Sequence, residues 1–159
     1  MVQYNEKVMQ HFLKPKNVGK IENPDGIGKV GNMTCGDIMY VYIKVKEIKG
    51  KDIIDKIKFQ TLGCAAAIAT SDVIIELAKN KTIQEALKIT NKDVVNELGG
   101  LPAIKVHCSL LAEQALSESI YDYMKKKGKK IPKELEERHK RNQEHEKNFD
   151  DKFKCGDKK

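Results

Sequence analysis

The sequence predicts an α+β fold: a three-stranded antiparallel sheet packed against helices, with a long C-terminal helix and a charged extension. Two observations carry this expectation. Between residues 27 and 62 three successive segments read as strands, the middle one alternating residue by residue, and consecutive strands pair antiparallel most readily. After Cys64 the period changes to that of a helix, and it remains helical through Met124. Strands first and helices after, on a chain of 159 residues, is the order of one α+β domain.

The elements follow in order. Tyr4, Val8, Met9, Phe12 and Leu13 form a helical stripe that Pro15 stops. Pro24-Asp25-Gly26 marks a turn, and a short strand is expected over 27–34. From Ile38 to Val45, Ile38, Tyr40, Tyr42 and Lys44 alternate with Met39, Val41, Ile43 and Val45, the pattern of a half-buried strand. Lys49-Gly50-Lys51 is a hairpin loop, and Ile53 to Leu62 is the third strand. Ala65–Ala69 runs into Val73, Ile74, Leu77 and Ala78, a helix with one buried face. Thr82 and Glu85 form a capping box for a short helix through Leu87, and Thr90–Leu98 is another, closed by Gly99-Gly100. From Cys108 onward, Leu111, Ala112, Ala115, Leu116, Ile120, Tyr123 and Met124 mark a long amphipathic helix.

Lys125–Lys130 breaks the composition, and from Glu136 to Asn148 there is no large apolar residue. Pairs such as Glu134/Arg138 and Glu137/Arg141 suit a solvated helix, each contributing about 0.2–0.5 kcal/mol. A segment so charged is expected to stand off the core. The formal charge of +7 sits mostly there, because residues 125–159 hold 14 of the 30 basic and 8 of the 23 acidic residues. The first 124 residues are nearly neutral, and no aromatic–basic interleaving appears in them, so no nucleic-acid partner is expected. No signal peptide and no apolar run of membrane-spanning length is visible, and a cytoplasmic protein without a membrane partner is expected. In that compartment four cysteines suggest ligands or reactive thiols before disulfides.

Three of those cysteines have distinctive settings. Cys35 and Asp37 are two apart, so an extended chain would project thiolate and carboxylate from one face, with Gly36 allowing close backbone approach. The plainer reading makes Cys35 a small buried hydrophobe and Asp37 a turn residue. Cys64 falls between a strand and a helix, where core packing competes with activation of the thiol by the positive helix end. Cys108 precedes a long helix, with Lys105 and His107 just upstream. Three thiolates with a carboxylate or imidazole form a soft donor set suited to iron–sulfur clusters or zinc. With a 2Fe–2S core, three thiolates and one carboxylate bring the unit to about −2, a charge that helix N-termini and Lys105 would stabilise. Asp37 would be the hard, easily opened corner.

The chain resembles the IscU/NifU N-terminal family of iron–sulfur cluster assembly scaffolds. The resemblance lies in Tyr4-Asn5-Glu6-Lys7-Val8-Met9-Gln10-His11-Phe12, Cys35-Gly36-Asp37, Phe59-Gln60-Thr61-Leu62-Gly63-Cys64, Ala67-Ile68-Ala69-Thr70-Ser71 and Lys105-Val106-His107-Cys108-Ser109-Leu110-Leu111-Ala112-Glu113. The segments run in family order over roughly residues 1–125. The resemblance implies a scaffold rather than an enzyme. Such a scaffold receives persulfide sulfur from a cysteine desulfurase, takes up ferrous iron, builds a 2Fe–2S cluster with an electron donor such as ferredoxin, and passes it to apo iron–sulfur proteins. By position Cys35, Asp37, Cys64 and Cys108 match the family's cluster ligands, with His107 as the alternative fourth, and Cys108 matches the persulfide acceptor. Lys105 matches a lysine beside the site, a charge partner for Asp37 when metal is absent. Tyr4 matches a tyrosine the family associates with self-association, so a homodimer is a further implied partner, with an iron donor or regulator and Hsp70/J-protein chaperones.

Residues 1–127 are thus expected to form the scaffold domain, and 128–159 a charged extension, helical or disordered. Leu101-Pro102-Ala103-Ile104-Lys105 departs from the family's Leu-Pro-Pro-Val-Lys chaperone segment, although Pro102 still biases it toward an extended form. Ala65 replaces a glycine usual after the second cysteine. The His107-Cys108 pair argues for the IscU branch over the SufU branch. In the extension, Cys155, His139 and His145 read as incidental. The main rival is a zinc-bound sulfur acceptor of the same fold. A cysteine-nucleophile enzyme using Cys108 and His107 is disfavoured, because adjacent side chains are expected to diverge.

Overall fold

Asn5 opens the first helix, α1 (Glu6–Leu13), by accepting a hydrogen bond from the Val8 amide at 3.0 Å. The computed structural model describes residues 3–31 and 36–154. Strands β1 (Gly26–Gly31), β2 (Ile38–Ile48) and β3 (Lys51–Leu62) form an antiparallel sheet in the order β1-β2-β3. Val41 pairs with Gly28 on one side and Phe59 on the other. β2 and β3 are longer than the alternation suggested. Lys49 (φ 52°) and Gly50 (φ 76°) make a two-residue turn with both φ positive, which keeps the ladder paired to Ile48 and Lys51. β1 ends at Gly31; the end of the strand expected through Thr34 lies outside the described residues.

The strands are followed by α2 (Ala65–Ala78), α3 (Ile83–Leu87) and α4 (Asn91–Glu97), then a 3-10 turn (Ala103–Lys105), α5 (Val106–Lys126) and α6 (Lys133–Lys154). Capping boxes at Thr82/Glu85 and Thr90/Asp93 start α3 and α4. α5 lies across β1, where glycine is required: a Cβ on Gly26 would overlap the Ser119 carbonyl, and one on Gly28 the Ala115 carbonyl. The core between sheet and helices holds Met39, Val41, Ile43, Ile54, Phe59, Ile74, Ile75, Leu111, Leu116 and Ile120. No helix among the described residues is long and apolar enough to cross a membrane.

Two expectations are corrected. α2 is buried nearly all round, including Thr70, Ser71 and Asp72, because it is enclosed by α1, α4, α5 and β3. Asp72 is fully buried but satisfied. Its Oδ1 accepts from the Lys16 and Asn17 amides and Asn17 Nδ2, and its Oδ2 faces His11 Nδ1 at 2.7 Å. The charged helix α6 also does not stand clear of the core. Leu135 is 3 % exposed, His139 stacks on Tyr121 at 3.7 Å, and His139 Nδ1 and Asn142 Nδ2 reach the Glu118 carboxylate at 2.7 and 2.8 Å. One leucine and a buried carboxylate on α5 provide a docking seam that composition averages away.

Candidate metal centre

Two helix starts meet at the site. Cys64 is the N-cap of α2, in extended conformation (φ −76°, ψ 175°) with no side-chain cap bond. Cys108 lies in the first turn of α5 and is fully buried. Their sulfurs are 3.7 Å apart, so residues 44 positions apart share one point in space. Both helices turn their positive ends toward it, a setting suited to holding an anion. Thr70 fixes the arrangement, because its hydroxyl on α2 donates toward the Cys108 carbonyl on α5 at 3.3 Å.

His107 Nε2 is 3.6 Å from Cys108 Sγ. The expected divergence of neighbouring side chains therefore fails here: in the first helical turn the imidazole folds back over the thiol. Ligand atoms of Asp37, His107 and Cys108 all lie within 4.8 Å of one another. Asp37 is 5 % exposed, and its Oδ2 has no hydrogen-bond partner among the described residues. A buried carboxylate oxygen without a donor is costly unless a cation meets it. Gly63 makes room for this carboxylate, since an added Cβ would lie 3.0 Å from Asp37 Cγ. The extended run expected across 35–37 is interrupted, because Gly36 takes a left-handed φ of 71° and β2 begins only at Ile38. Cys35 lies outside the described residues, as does Cys155; so does the side chain of His145.

Lys105, half-buried at the end of the 3-10 turn, has its pKa raised. Negative charge on Cys64 is the leading cause, burial opposes it, and Tyr4, Cys108 and Asp37 add to it. Tyr4 is pushed up by burial first and by Cys64 second, while Lys105 pulls it down. Tyr4 packs against the cluster that holds Cys108 as a neutral phenol, and Lys105 is a cation within the electrostatic reach of the cysteine pair. Pro102 is extended (φ −54°, ψ 137°) as expected, but Ala103–Lys105 winds into a 3-10 turn and leaves Ile104 66 % exposed.

Sequence reasoning gave no role to Asn5, Gly63 or Thr70, although each lay in a quoted segment. Asn5 directly before an apolar helical stripe carries an N-cap signal. The partners of the other two come only with the fold.

Residues 3–130 match the family described as NifU-like N terminal domain. The chain is 59% identical over 126 residues to iron-sulfur cluster assembly scaffold protein IscU 1 of Archaeoglobus fulgidus, covering 79% of this chain and 80% of that protein. It is 46% identical over 140 residues to iron-sulfur cluster assembly scaffold protein IscU of Aquifex aeolicus, covering 85% and 88%. A crystal structure from Fervidobacterium islandicum, described as a candidate iron-sulfur cluster assembly scaffold protein for the SUF system, superposes with a TM-score of 0.62 at 28% identity. That superposition covers 74% of this chain and 96% of that one.

Proposed function

The chain belongs to the NifU-like N-terminal domain family, and we propose that it is a scaffold on which a 2Fe–2S cluster is assembled and then transferred to apo-proteins. Residues 1–127 carry the role, and 128–159 are a charged extension. The proposed compartment is the cytoplasm. Cys108 is the sulfur acceptor. Its thiolate attacks the outer sulfur of a desulfurase persulfide; a sulfur–sulfur bond forms on Cys108, the donor's bond breaks, and the donor cysteine leaves as thiolate. Two such sulfurs need four electrons to become sulfide. Two ferrous ions becoming ferric supply two, and an electron donor such as ferredoxin supplies the rest. Further proposed partners are an iron donor or regulator, Hsp70/J-protein chaperones and a second copy of the chain.

One observation carries this reading: a buried Asp37 oxygen with no partner among the described residues, beside the Cys108 thiol and the His107 imidazole, with Cys64 next to Cys108. Metal–sulfur bonds of about 2.3 Å and metal–nitrogen bonds of about 2.05 Å give tetrahedral edges of about 3.8 Å (S–S) and about 3.6 Å (S–N). The Cys64–Cys108 and Cys108–His107 separations are 3.7 and 3.6 Å. These two separations, each from Cys108, are compatible with ligands on one metal. Cys35, Asp37, Cys64 and Cys108 are the proposed cluster ligands, His107 the alternative fourth, and Lys105 the charge partner of the carboxylate.

The grouping of Asp37, His107 and Cys108, with Cys64 beside Cys108, supports a second reading, a zinc-bound sulfur acceptor in which these four residues would supply the ligands. Anaerobic incubation with ferrous iron, cysteine and a desulfurase, followed by absorption and Mössbauer spectroscopy, tests the first reading. A 2Fe–2S spectrum that depends on Cys108 is expected. Stoichiometric zinc in anaerobically prepared protein, with no cluster formed, would favour the second.

A further inference from the structure

Asn5 makes three hydrogen bonds with one side chain. Its Oδ1 caps α1 through the Val8 amide at 3.0 Å. Its Nδ2 donates to the carbonyls of Leu98 at 2.9 Å and Gly100 at 3.2 Å, 93 and 95 residues away. Gly99, at a left-handed φ of 75°, bends the end of α4 toward this amide, and a Cβ there would stand 3.5 Å from Asn5 Nδ2. Lys7 Nζ adds a bond to the Glu97 carbonyl at 3.2 Å. The start of α1 is thereby tied to the loop between α4 and the 3-10 turn.

That tie matters because of its neighbours. Tyr4 precedes Asn5, and Leu101 follows Gly100. Both pack against the small cluster of Ala66, Ala67 and Cys108, beside Cys64. They form two walls over a thiol that is fully buried. The Leu101 loop also leads directly to Lys105 and to the first turn of α5.

We propose that Asn5 is a positioning residue for sulfur acceptance: its side-chain amide fastens the Tyr4 wall to the Leu101 wall and so fixes the surroundings of Cys108. The proposal rests on the reading of Cys108 as the atom that attacks a donor persulfide. Held walls keep the thiolate and Lys105 in the geometry of attack. Loosened walls expose the sulfur while misaligning it, and small displacements of this kind cost rate steeply.

Asn5→Asp separates the two duties. It keeps the capping oxygen and the shape, and its charge suits the start of α1, but it cannot donate to Leu98 and Gly100. Asn5→Ser keeps a capping hydroxyl with no amide reach and serves as the second variant. Two rates are measured well below the melting temperature. One is alkylation of Cys108 by iodoacetamide in the cluster-free protein. The other is sulfur transfer from a cysteine desulfurase, read by mass and resolved into a limiting rate and a half-saturating concentration. Both variants should alkylate about tenfold faster and accept sulfur about tenfold more slowly, at an unchanged half-saturating concentration. Wild-type chain that takes sulfur, with both variants matching it in both rates, overturns the role of Asn5 alone. Changes that merely follow a lowered melting temperature also overturn it. Wild-type chain that takes no sulfur overturns the reading of function, and the role of Asn5 in that step with it.

Discussion

Gly63→Ala probes the Asp37 corner without touching a donor atom. The position does not use a left-handed backbone, so the effect is steric. A Cβ there would lie 2.8 Å from Ala67 Cβ, 3.0 Å from Asp37 Cγ and 3.2 Å from Asp37 Oδ1. Carbon–carbon contacts are comfortable at about 3.5–4.0 Å, so the shortfall is about 0.5–1 Å. Ala67 cannot retreat, since it is fully buried on α2 and its carbonyl accepts from both Thr70 and Ser71. The carboxylate must yield. Overpacking of this kind costs about 1–3 kcal/mol, which lowers the melting temperature by roughly 2–10 °C in a domain of this size. An oxygen displaced by about half an ångström leaves bonding range, and metal affinity should fall about 10- to 100-fold. Cobalt titration, followed through its thiolate charge-transfer band, reads this directly. Gly31→Ala is the control, because its Cβ would meet only the Asp37 carbonyl at an ordinary 3.8 Å. A Gly63→Ala protein that melts lower yet binds cobalt with wild-type affinity and spectrum would refute the placement of Asp37 among the donors.

Asp37→Cys should slow cluster transfer to an acceptor by replacing a hard, labile ligand with a fourth thiolate; transfer at the wild-type rate would count against Asp37 as a ligand. Cys64→Ser should bring the Lys105 ammonium down toward its ordinary value, because Cys64 is the leading cause of its elevation; NMR titration of the labelled lysine reads the shift. A lysine whose folded value is raised contributes stability throughout the range below its unfolded value. It loses that contribution as pH climbs through the folded one, so between the two the wild type should lose more stability than the variant, whose lysine has little such contribution to lose. Leu135→Ala should cost about 2–3 kcal/mol and raise hydrogen exchange along α6. Deletion of residues 129–159 should leave cluster reconstitution intact, and its loss would show that the extension belongs to the assembling unit.

The sheet was legible because alternation in Ile38–Val45 has no helical alternative, and the position of Cys64 was legible because the period changes beside it. The Thr82–Glu85 capping box is a local signal and formed as read. What escaped reading depends on distant partners. Asp72 looks like the solvent face of α2, yet it is enclosed by Lys16 and Asn17, 56 and 55 residues away. Leu135 is one leucine in a charged run, and nothing near it in sequence announces Tyr121 or Glu118. The return of His107 onto Cys108 depends on a side-chain rotation that spacing does not encode. Asn5 was readable as a cap but not as a strut, since its second and third bonds go to backbone carbonyls that carry no residue-type signature.

The donors are not held equally. Cys64 and Cys108 stand at the starts of two helices that Thr70 fastens together, and α2 is enclosed on nearly every side, so the sulfur pair is anchored from both helices. Asp37 lies between left-handed Gly36 and the start of β2, outside any helix or strand, and its Oδ2 takes no hydrogen bond from the described residues. On the proposed ligand set, loss of a metal would leave the sulfurs anchored by their helices and the Asp37 Oδ2 without a partner among the described residues. On the proposed function, that asymmetry would give departure a direction: the harder ligand would open first, while Cys108, the proposed sulfur acceptor, would keep its place.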